Sequence, residues 1–325
     1  MDKKNPLVSI VLATYNPDLE WLEAQLISLN NQTYSNLELI ILDDCSKIIS
    51  FESIRKLIEE SVTKLPFFIY RNEENLGSNR TFQKLTELAT GKYISYCDQD
   101  DIWENDKIEI LVTDLESDSD ISLIYSDLSV IDSNGNKTAD SLRDIRKRLK
   151  FLSGYDLTEG LITKNFVVGC TMIVKSEVAK KAIPFEETMV HDQWIALMAS
   201  TSGKIEYKDI PLIKYRQHGY NQTGVMTGII DKKTYYKERI EYYEKRYVSL
   251  NQKFKNTELE QYLKICMEWM NARNKYFTNP NLESLRIMIK YRKIHKISVV
   301  VELILPFIPD VLFIYIINIA KRGKL

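Results

Sequence analysis

An alternation of apolar runs and helical stripes constrains the fold of this chain more than any other feature. Four short, largely β-branched or aromatic runs have the composition of buried strands in a parallel sheet, and they cover residues 7–13, 37–42, 67–70 and 92–97. Between them lie segments with apolar residues at helical spacing, which cover residues 19–31, 51–64 and 78–89. This order predicts right-handed crossovers and a mostly parallel α/β sheet flanked by helices.

The pattern changes after residue 104. We expect strands at 121–126 and 128–131, a turn at 132–135, a mobile polar loop at 137–150, a strand near 167–174 and a helix at 192–200. From Lys233 onward glycine becomes scarce and long helical patterns dominate. We therefore predict two domains, an α/β domain over 1–230 and a helical region over 231–325.

The charge of the chain is unevenly distributed. Residues 232–325 contain 19 lysines and arginines against 9 acidic residues, a net charge of +10, which leaves −11 for residues 1–231. The four cysteines lie far apart in sequence, a pattern typical of reduced thiols in a cytosolic protein. The N-terminal apolar stretch is too short for a signal peptide, so we expect a cytoplasmic location.

Polar residues follow each of the four predicted parallel strands. Because ligands of parallel α/β sheets bind beyond the carboxyl ends of the strands, these residues are candidates for one shared site. They are Thr14-Tyr15-Asn16, Asp43-Asp44, Arg71-Asn72 and Asp98-Gln99-Asp100-Asp101.

The three carboxylates Asp98, Asp100 and Asp101 raise one another's pKa unless a cation lies between them. Mg²⁺ or Mn²⁺ prefers such carboxylates together with phosphate oxygens, so we predict a metal site for a diphosphate. The alternative is a solvated acidic turn that caps a helix starting near Trp103.

Several ordered motifs within residues 7–222 resemble the inverting family 2 glycosyltransferases, which have the GT-A fold. The motifs are 8–16, 39–46, Asn75-Leu76-Gly77, 98–103, 124–127, 169–172, His191-Asp192-Gln193-Trp194 and 215–219. The last four of these most resemble the bacterial rhamnosyltransferase-like branch.

The resemblance implies a role for individual residues. The residues expected to bind the nucleotide-sugar donor are Thr14, Tyr15, Asn16, Asp43, Asp44, Arg71, Asn75, Gly77, Arg80, Asp98, Gln99 and Arg216. The expected ligands of Mg²⁺ or Mn²⁺ are Asp98, Asp100, Asp101 and His218. The alternative for His218 is a purely structural role in a turn. Asn221 is a weaker candidate for the same site.

Asp192 matches the position of the general base that deprotonates the acceptor hydroxyl in inverting transferases. The alternative is an N-cap carboxylate, and both roles are compatible. The residues expected to contact the acceptor are Trp103, His191 and Trp194.

Residues 297–319 approach the length of a membrane span but contain Glu302, Pro306, Pro309 and Asp310. Charges near the bilayer centre cost roughly 2.5–3.5 kcal/mol each, so we predict two short interfacial helices instead. The basic run 290–296 would then meet anionic headgroups. Packing on the catalytic domain or a homodimer core is the alternative.

These observations predict a metal-dependent inverting glycosyltransferase on the inner face of the bacterial membrane. The expected donor is dTDP-rhamnose or a UDP-sugar, and the expected acceptor is a lipid-linked or growing cell-surface glycan; no nucleic-acid partner is expected. A sugar-phosphate nucleotidyltransferase is disfavoured because residues 11–16 lack a glycine-rich phosphate loop. A catalytically inactive scaffold is disfavoured because the acidic motif positions are all present.

Overall fold

The computed structural model describes residues 5–147, 149–219, 228–294 and 302–321. The chain divides into two compact units, Met1–Gly219 and Tyr220–Leu325. This division falls somewhat before the boundary predicted near residue 230.

The first unit contains a mixed sheet with nine strands among the described residues. Their bounds are β1 Val8–Thr14, β2 Leu37–Asp43, β3 Phe67–Arg71, β4 Tyr93–Cys97, β5 Ile102–Trp103, β6 Ile121–Ile131, β7 Lys137–Ala139, β8 Met172–Lys175 and β9 Lys204–Arg216. The strand order is β3-β2-β1-β4-β8-β6-β9-β5, and β7 pairs with β6. The parallel pairs are β1 with β2, β1 with β4, β2 with β3, and β6 with β9. The predicted parallel α/β arrangement of the first four strands is confirmed.

Eight helices of the first unit lie between these strands among the described residues. Their bounds are α1 Leu19–Asn30, α2 Phe51–Ser61, α3 Ser78–Leu88, α4 Lys107–Ser117, α5 Leu142–Ile145, α6 Thr158–Thr163, α7 Ser176–Lys181 and α8 His191–Ser200. A 3-10 turn covers Gly169–Thr171 directly before β8. The starts of α1 and α2 follow from their caps, because Asp18 and Ser50 accept backbone hydrogen bonds from the first turns.

The core explains why the apolar runs became strands. β2, β4 and β6 are buried along their whole length, and leucines 22, 26 and 29 of α1 are fully buried against the sheet. Full burial on both faces removes the alternation of polar and apolar residues, and this leaves the continuous apolar runs seen in the sequence.

Two predictions after residue 104 are wrong. The two strands predicted at 121–126 and 128–131 form the single strand β6. The predicted mobile loop at 137–150 contains β7 and α5. Buried Asp127 holds this segment, because its Oδ2 accepts hydrogen bonds from Ser141 at 2.6 Å and from Arg143 at 3.3 Å.

The second unit is helical, as predicted. Its described helices are α9 Lys232–Tyr235, α10 Tyr242–Lys253, α11 Leu259–Thr278, α12 Leu282–Lys290 and α13 Asp310–Lys321, with a π-helical turn Tyr236–Glu241 between α9 and α10. Inside it, the guanidinium of Arg273 forms a buried ion pair with Glu302, and the Tyr235 hydroxyl donates to Glu302 at 2.5 Å.

No helix within the described ranges is long and apolar enough to cross a bilayer. Of the two predicted interfacial helices, the second corresponds to α13, whereas residues 297–301 of the first lie outside the described residues.

Candidate active site

The carboxyl ends of β1 to β4 lie side by side because these four strands are parallel. Thr14 at the end of β1 pairs with Asp43, and Asp43 pairs with Arg71 at the end of β3. On the other side of β1, Cys97 at the end of β4 pairs with Leu12. The polar residues that follow these strands therefore meet at one rim, as predicted.

Asp43 is fully buried and fixes the loop after β2. Its Oδ1 accepts hydrogen bonds from the Ser46 hydroxyl at 2.5 Å and from the Thr14 hydroxyl at 3.4 Å. Arg71 Nε lies 3.3 Å from Asp43 Oδ2, while its guanidinium lies 5.4 Å from the centre of the Phe51 ring. Since 41% of the Arg71 side chain is exposed, the rim presents a cation here that is already oriented by a buried carboxylate.

Asp44 organises the loop that leads into α3. Its two carboxylate oxygens accept the backbone N–H groups of Leu76 and Gly77, each at 2.8 Å, and the Asn72 side chain donates to it at 2.8 Å. Gly77 has φ +79°, a left-handed conformation that favours glycine, and Asn75 Nδ2 donates to the Asp44 carbonyl at 3.3 Å. Asp44, Asn75 and Gly77 thus shape the loop through contacts with one another.

Tyr15 and Gln99 connect the segments after β1 and β4. The Tyr15 N–H donates to Gln99 Oε1 at 2.8 Å, and Gln99 Nε2 donates back to the Tyr15 carbonyl at 3.3 Å. The Tyr15 side chain remains exposed. Asn16 has φ +42°, and its Oδ1 accepts the N–H groups of Lys47 and Ile48. Asn16 therefore holds the Ser46 loop, whereas the Tyr15 ring faces solvent and is open to a ligand.

The acidic run after β4 lies close to Asp192. Burial raises the pKa of Asp98, and repulsion from Asp100 and Asp192 adds to this effect. Burial and the charges of Asp100 and Asp98 likewise hold the pKa of Asp101 well above its ordinary value. His218 Nε2 lies 2.8 Å from Asp100 Oδ2. The acidic run is therefore close enough to Asp192 for the two to repel each other, and the imidazole contacts it through Asp100.

This region fits a divalent cation. Donor atoms of Asp98, Asp101 and Cys170 lie within 4.8 Å of one another. Asp101 is fully buried, and its Oδ2 has no hydrogen-bond partner of ordinary geometry within the described part of the chain, although the Cys170 thiol lies close by. A buried, mutually repelling carboxylate cluster is stabilised by a cation, and oxygen ligands suit Mg²⁺ or Mn²⁺. The burial of Asp101 argues against a solvated acidic turn, and α4 begins at Lys107 instead of near Trp103, whereas Asp98 and Asp100 are partly exposed.

Arg216 and His218 reach the acidic run from the end of β9. The Arg216 N–H donates to Asp101 Oδ1 at 3.0 Å, and Arg216 Nε donates to the Asp100 carbonyl at 2.9 Å. Trp21 of α1 lies beneath both residues: its ring centre is 4.7 Å from that of His218 and 5.3 Å from the Arg216 guanidinium carbon. Sequence analysis missed Trp21, because nothing in the sequence of a helix distinguishes a side chain that packs against site residues from one that packs in the core.

Arg216 contacts backbone oxygens and the buried carboxylate, and 4% of it is exposed. Its role in this structure is to connect β9 to the acidic run. Direct contact with the donor remains a prediction, and Asn221 lies outside the described residues.

Asp192 lies in the first turn of α8 and is held by three donors. Asn165 Nδ2 donates to its Oδ1 at 3.0 Å, the Gly169 N–H donates to its Oδ2 at 3.1 Å, and the Gln193 N–H donates to Oδ1 at 2.6 Å. Burial nevertheless raises the pKa of Asp192 to about 6. The N-cap position of α8 is occupied by Val190, so the N-cap alternative for Asp192 is wrong. Sequence analysis did not find Asn165, which lies far from Asp192 in the chain.

His191 points into the protein. Its ring stacks on Phe82 with 4.1 Å between ring centres and lies 5.6 Å from the Tyr96 ring. Its Nε2 is buried without a hydrogen-bond partner in the described residues, and burial lowers its pKa to about 3. The neutral ring therefore packs beside the site, a position that does not support the predicted acceptor contact.

The two tryptophans expected at the acceptor are core residues. Trp103 is 1% exposed and Trp194 is 3% exposed. Trp194 Nε1 donates to the Ala182 carbonyl at 2.7 Å. Lys107 Nζ lies 3.1 Å from the centre of the Trp103 ring, and burial lowers the Lys107 pKa to about 7. Neither indole is available to a ligand in this structure, because both side chains are almost completely buried.

Arg80 lies on α3, and 61% of its side chain is exposed. Its guanidinium forms a 2.5 Å ion pair with Glu187, a partner that sequence analysis missed. In this structure Arg80 therefore pairs with an acidic residue in the segment before α8.

Comparison with known proteins agrees with this geometry. The model of the family described as Glycosyl transferase family 2 matches residues 9–181. The chain is 32% identical over 220 residues to an uncharacterized glycosyltransferase of Methanocaldococcus jannaschii, covering 66% of this chain and 72% of the relative. It is 26% identical over 196 residues to the Escherichia coli enzyme WfgD, a UDP-Glc:α-D-GlcNAc-diphosphoundecaprenol β-1,3-glucosyltransferase, covering 59% of this chain and 70% of that enzyme.

Solved structures show the same fold. Residues 1–349 of S. aureus TarS in complex with UDP-GlcNAc align with a TM-score of 0.59 and 15% identity, covering 98% of this chain and 88% of that chain. The mannosyltransferase PcManGT of Pyrobaculum calidifontis, in complex with GDP-Man and Mn²⁺, aligns with a TM-score of 0.54 and 16% identity, covering 94% and 86%. The chain thus has a GT-A-like α/β fold with a helical C-terminal region.

Proposed function

The chain belongs to glycosyl transferase family 2, and we propose that it is a metal-dependent, inverting member of that family. In this proposal a sugar passes from a nucleoside diphosphate to a hydroxyl group of a lipid-linked or growing cell-surface glycan. The observation that carries the proposal is the position of Asp192, whose pKa is raised to about 6, beside the acidic run at the end of β4.

The donor would bind at the rim formed by the ends of β1 to β4. Arg71 supplies an exposed cation next to buried Asp43, and Tyr15, directly after β1, supplies an exposed ring. These groups have the chemistry needed for a nucleotide: a guanidinium for negative charge and an aromatic face for a base.

Asp98, Asp100, Asp101 and His218 would hold the divalent cation. When bound, this cation neutralises charge on the departing nucleoside diphosphate. The residues themselves are prepared for it by the Arg216 contacts, which fix Asp101 and the Asp100 backbone before any ligand arrives.

Asp192 would accept the proton of the acceptor hydroxyl. A carboxylate with a pKa near 6 is mostly ionised at neutral pH, yet it binds a proton more readily than an ordinary aspartate. Asn165 and the Gly169 N–H hold the carboxylate in one orientation. In this proposal Asp192 acts on the hydroxyl group from the side opposite the leaving group, as inversion requires.

For the sugar we propose rhamnose from dTDP-rhamnose, on the strength of the motif resemblance, with a UDP-sugar as the alternative. The relative WfgD is named for UDP-Glc, and TarS was solved with UDP-GlcNAc. We further propose that the enzyme works on the inner face of the bacterial membrane, where a lipid-linked acceptor would be accessible.

The test is a panel of nucleotide sugars, with release of the nucleoside diphosphate measured in Mg²⁺, in Mn²⁺ and in EDTA. We expect Asp192→Asn to keep donor binding and to lose about 10²–10⁴-fold in turnover. Asp98→Ala/Asp100→Ala should lose both metal dependence and activity. Asp140→Asn is the matched control, since 85% of the Asp140 side chain is exposed. Full turnover in EDTA, or wild-type turnover by Asp192→Asn, would refute the proposal.

A further inference from the structure

The end of the second unit exposes an unusual amount of apolar surface. Within residues 302–321, five large apolar side chains are between 45% and 81% exposed; they are Ile304, Phe307, Val311, Leu312 and Tyr315. Ile314 adds to the same segment at 40% exposed. We call these six residues the apolar face. Exposed apolar side chains concentrated in one short segment are typical of an interaction site in a folded protein.

Contacts inside the unit determine which side of the segment faces outward. Phe313 and Ile317 of α13 are buried, and Phe313 packs edge-on against Tyr235 with 5.7 Å between ring centres. Glu302 is fixed by its buried ion pair with Arg273. Because these inner contacts are satisfied, the apolar face cannot turn inward without breaking them.

The same ion pair removes an objection to a lipid environment. As a lipid-facing charge, Glu302 would be costly, but it is 2% exposed and neutralised by Arg273. Asp310, at the start of α13, lies 3.4 Å from Lys232 Nζ, and 76% of its side chain is exposed. Glu302 is therefore shielded from a bilayer, while Asp310 has a cationic partner at the surface.

Exposed cations follow a helix that packs against the same segment. Lys290, Arg292 and Lys293, at the end of α12 and directly after it, are all exposed. α12 packs through Met288 beside Leu303, the residue that precedes Ile304 in the chain. Residues 232–325 also have a formal net charge of +10. This charge attracts an anionic surface and repels a second copy of the same unit.

The length of α13 determines whether it could span a bilayer or lie at its surface. Twelve helical residues span about 18 Å, whereas the hydrocarbon core is about 30 Å thick. A short helix with one buried side and one apolar side fits the plane of the interface, where its outer residues enter the headgroup boundary.

We propose that the apolar face docks on an anionic lipid bilayer, with α13 lying in the interface and the cations after α12 contacting the headgroups. This inference adds a membrane-binding element to the proposed function, and it rests on contacts in the second unit alone. It does not depend on which sugar is transferred.

Co-sedimentation with vesicles tests the proposal on the full chain. We expect binding to vesicles of phosphatidylcholine with phosphatidylglycerol, and much weaker binding to phosphatidylcholine alone. Phe307→Ser and Val311→Asp should each reduce the partition coefficient by about tenfold or more. Replacing Lys290, Arg292 and Lys293 by glutamine should reduce it about fivefold per residue and remove most of the salt dependence.

Leu282→Ser is the matched control, because Leu282 is 71% exposed but belongs to the start of α12, outside the apolar face. It should bind vesicles like the wild type. Thermal unfolding of each variant checks that the unit still folds, and Phe313 and Ile317 are left unchanged for this reason.

Two results would overturn the proposal. One is equal vesicle binding by the wild type and Val311→Asp. The other is a wild-type dimer, measured by light scattering, that Val311→Asp dissociates while vesicles bind neither protein. Donor hydrolysis without acceptor should be the same in wild type and Val311→Asp. Its absence in both would count against the proposed transferase and leave the vesicle result standing.

Discussion

Replacing Gly169 by alanine would place one methyl group against two side chains of the site. An ideal Cβ on Gly169 would lie 2.9 Å from His191 Nε2 and 3.3 Å from Asp192 Cβ. Carbon–nitrogen contacts in packed proteins are about 3.5–4.0 Å, so the first contact cannot persist. The effect is steric, because Gly169 does not have a positive φ that would disfavour alanine.

The clash would displace Asp192, the proposed base. The His191 ring cannot swing aside freely, since it stacks on Phe82 and lies against Tyr96. The Gly169 N–H donates to Asp192 Oδ2 at 3.1 Å, so a shift of the Gly169 backbone also weakens the hold on the carboxylate. Overpacking of this kind costs about 1–3 kcal/mol in stability. A misplacement of about 1 Å at a catalytic group costs on the order of 10²-fold in rate.

We therefore expect Gly169→Ala to lower kcat about 10²-fold while the donor KM stays nearly unchanged, because the donor rim is formed by other strands. The hydrogen bond from Gly169 lowers the Asp192 pKa, so its weakening should also shift the acid limb of the pH–rate profile upward. Gly160→Ala is the matched control: a Cβ there meets nothing within 4 Å.

A second variant tests the steric origin. His191→Ala removes the ring that the new methyl group meets, so Gly169→Ala/His191→Ala should be more active than the product of the two single effects predicts. Strict additivity, or a Gly169→Ala enzyme with wild-type kcat and pH profile, would show that this contact does not position Asp192.

Three further predictions concern protonation, the metal site and the second unit. The turnover of the wild type should fall as the pH drops through about 6, because protonated Asp192 cannot accept a proton; an activity that stays level across this range would contradict the base assignment. Asp98→Asn should raise the Tm of the protein in EDTA. The raised pKa of Asp98 means that the folded state binds the proton more tightly, so its carboxylate destabilises the fold increasingly as the pH rises above the ordinary carboxyl range. Melting curves at acidic and neutral pH check this, and a Tm difference that is the same at both would disprove it. Arg273→Met alone should destabilise the protein by about 3–5 kcal/mol in urea unfolding, and Arg273→Met/Glu302→Leu should recover much of that loss, since the cost arises from an unpaired buried charge. A double variant no more stable than Arg273→Met would argue against an unpaired buried charge as the cause.

The proposed membrane contact and the proposed reaction depend on different parts of the chain. The rim residues and Asp192 lie in the first unit, and the apolar face lies in the second. Variants of one can therefore be measured without disturbing the other, and each proposal can fail independently.

The sequence by itself determined that the first four strands are parallel and that their carboxyl ends form one rim. Apolar runs separated by helical stripes predict parallel strands joined by right-handed crossovers, and the polar residues after each run must then lie at the same edge. The order β3-β2-β1-β4 within the sheet came only from the structure. The carboxylates Asp98, Asp100 and Asp101 could be recognised as a candidate metal site because they are neighbours in the chain, and the family followed from the ordered motifs.

Only the tertiary structure decided which side chains face the site. Asp101 accepts a hydrogen bond from Arg216, 115 positions later, and Trp21 lies beneath His218. Trp103 and Trp194 follow functional motifs in the chain, yet both are buried. Periodicity specifies the elements, but the direction of a side chain at the end of an element depends on packing between segments that are distant in sequence.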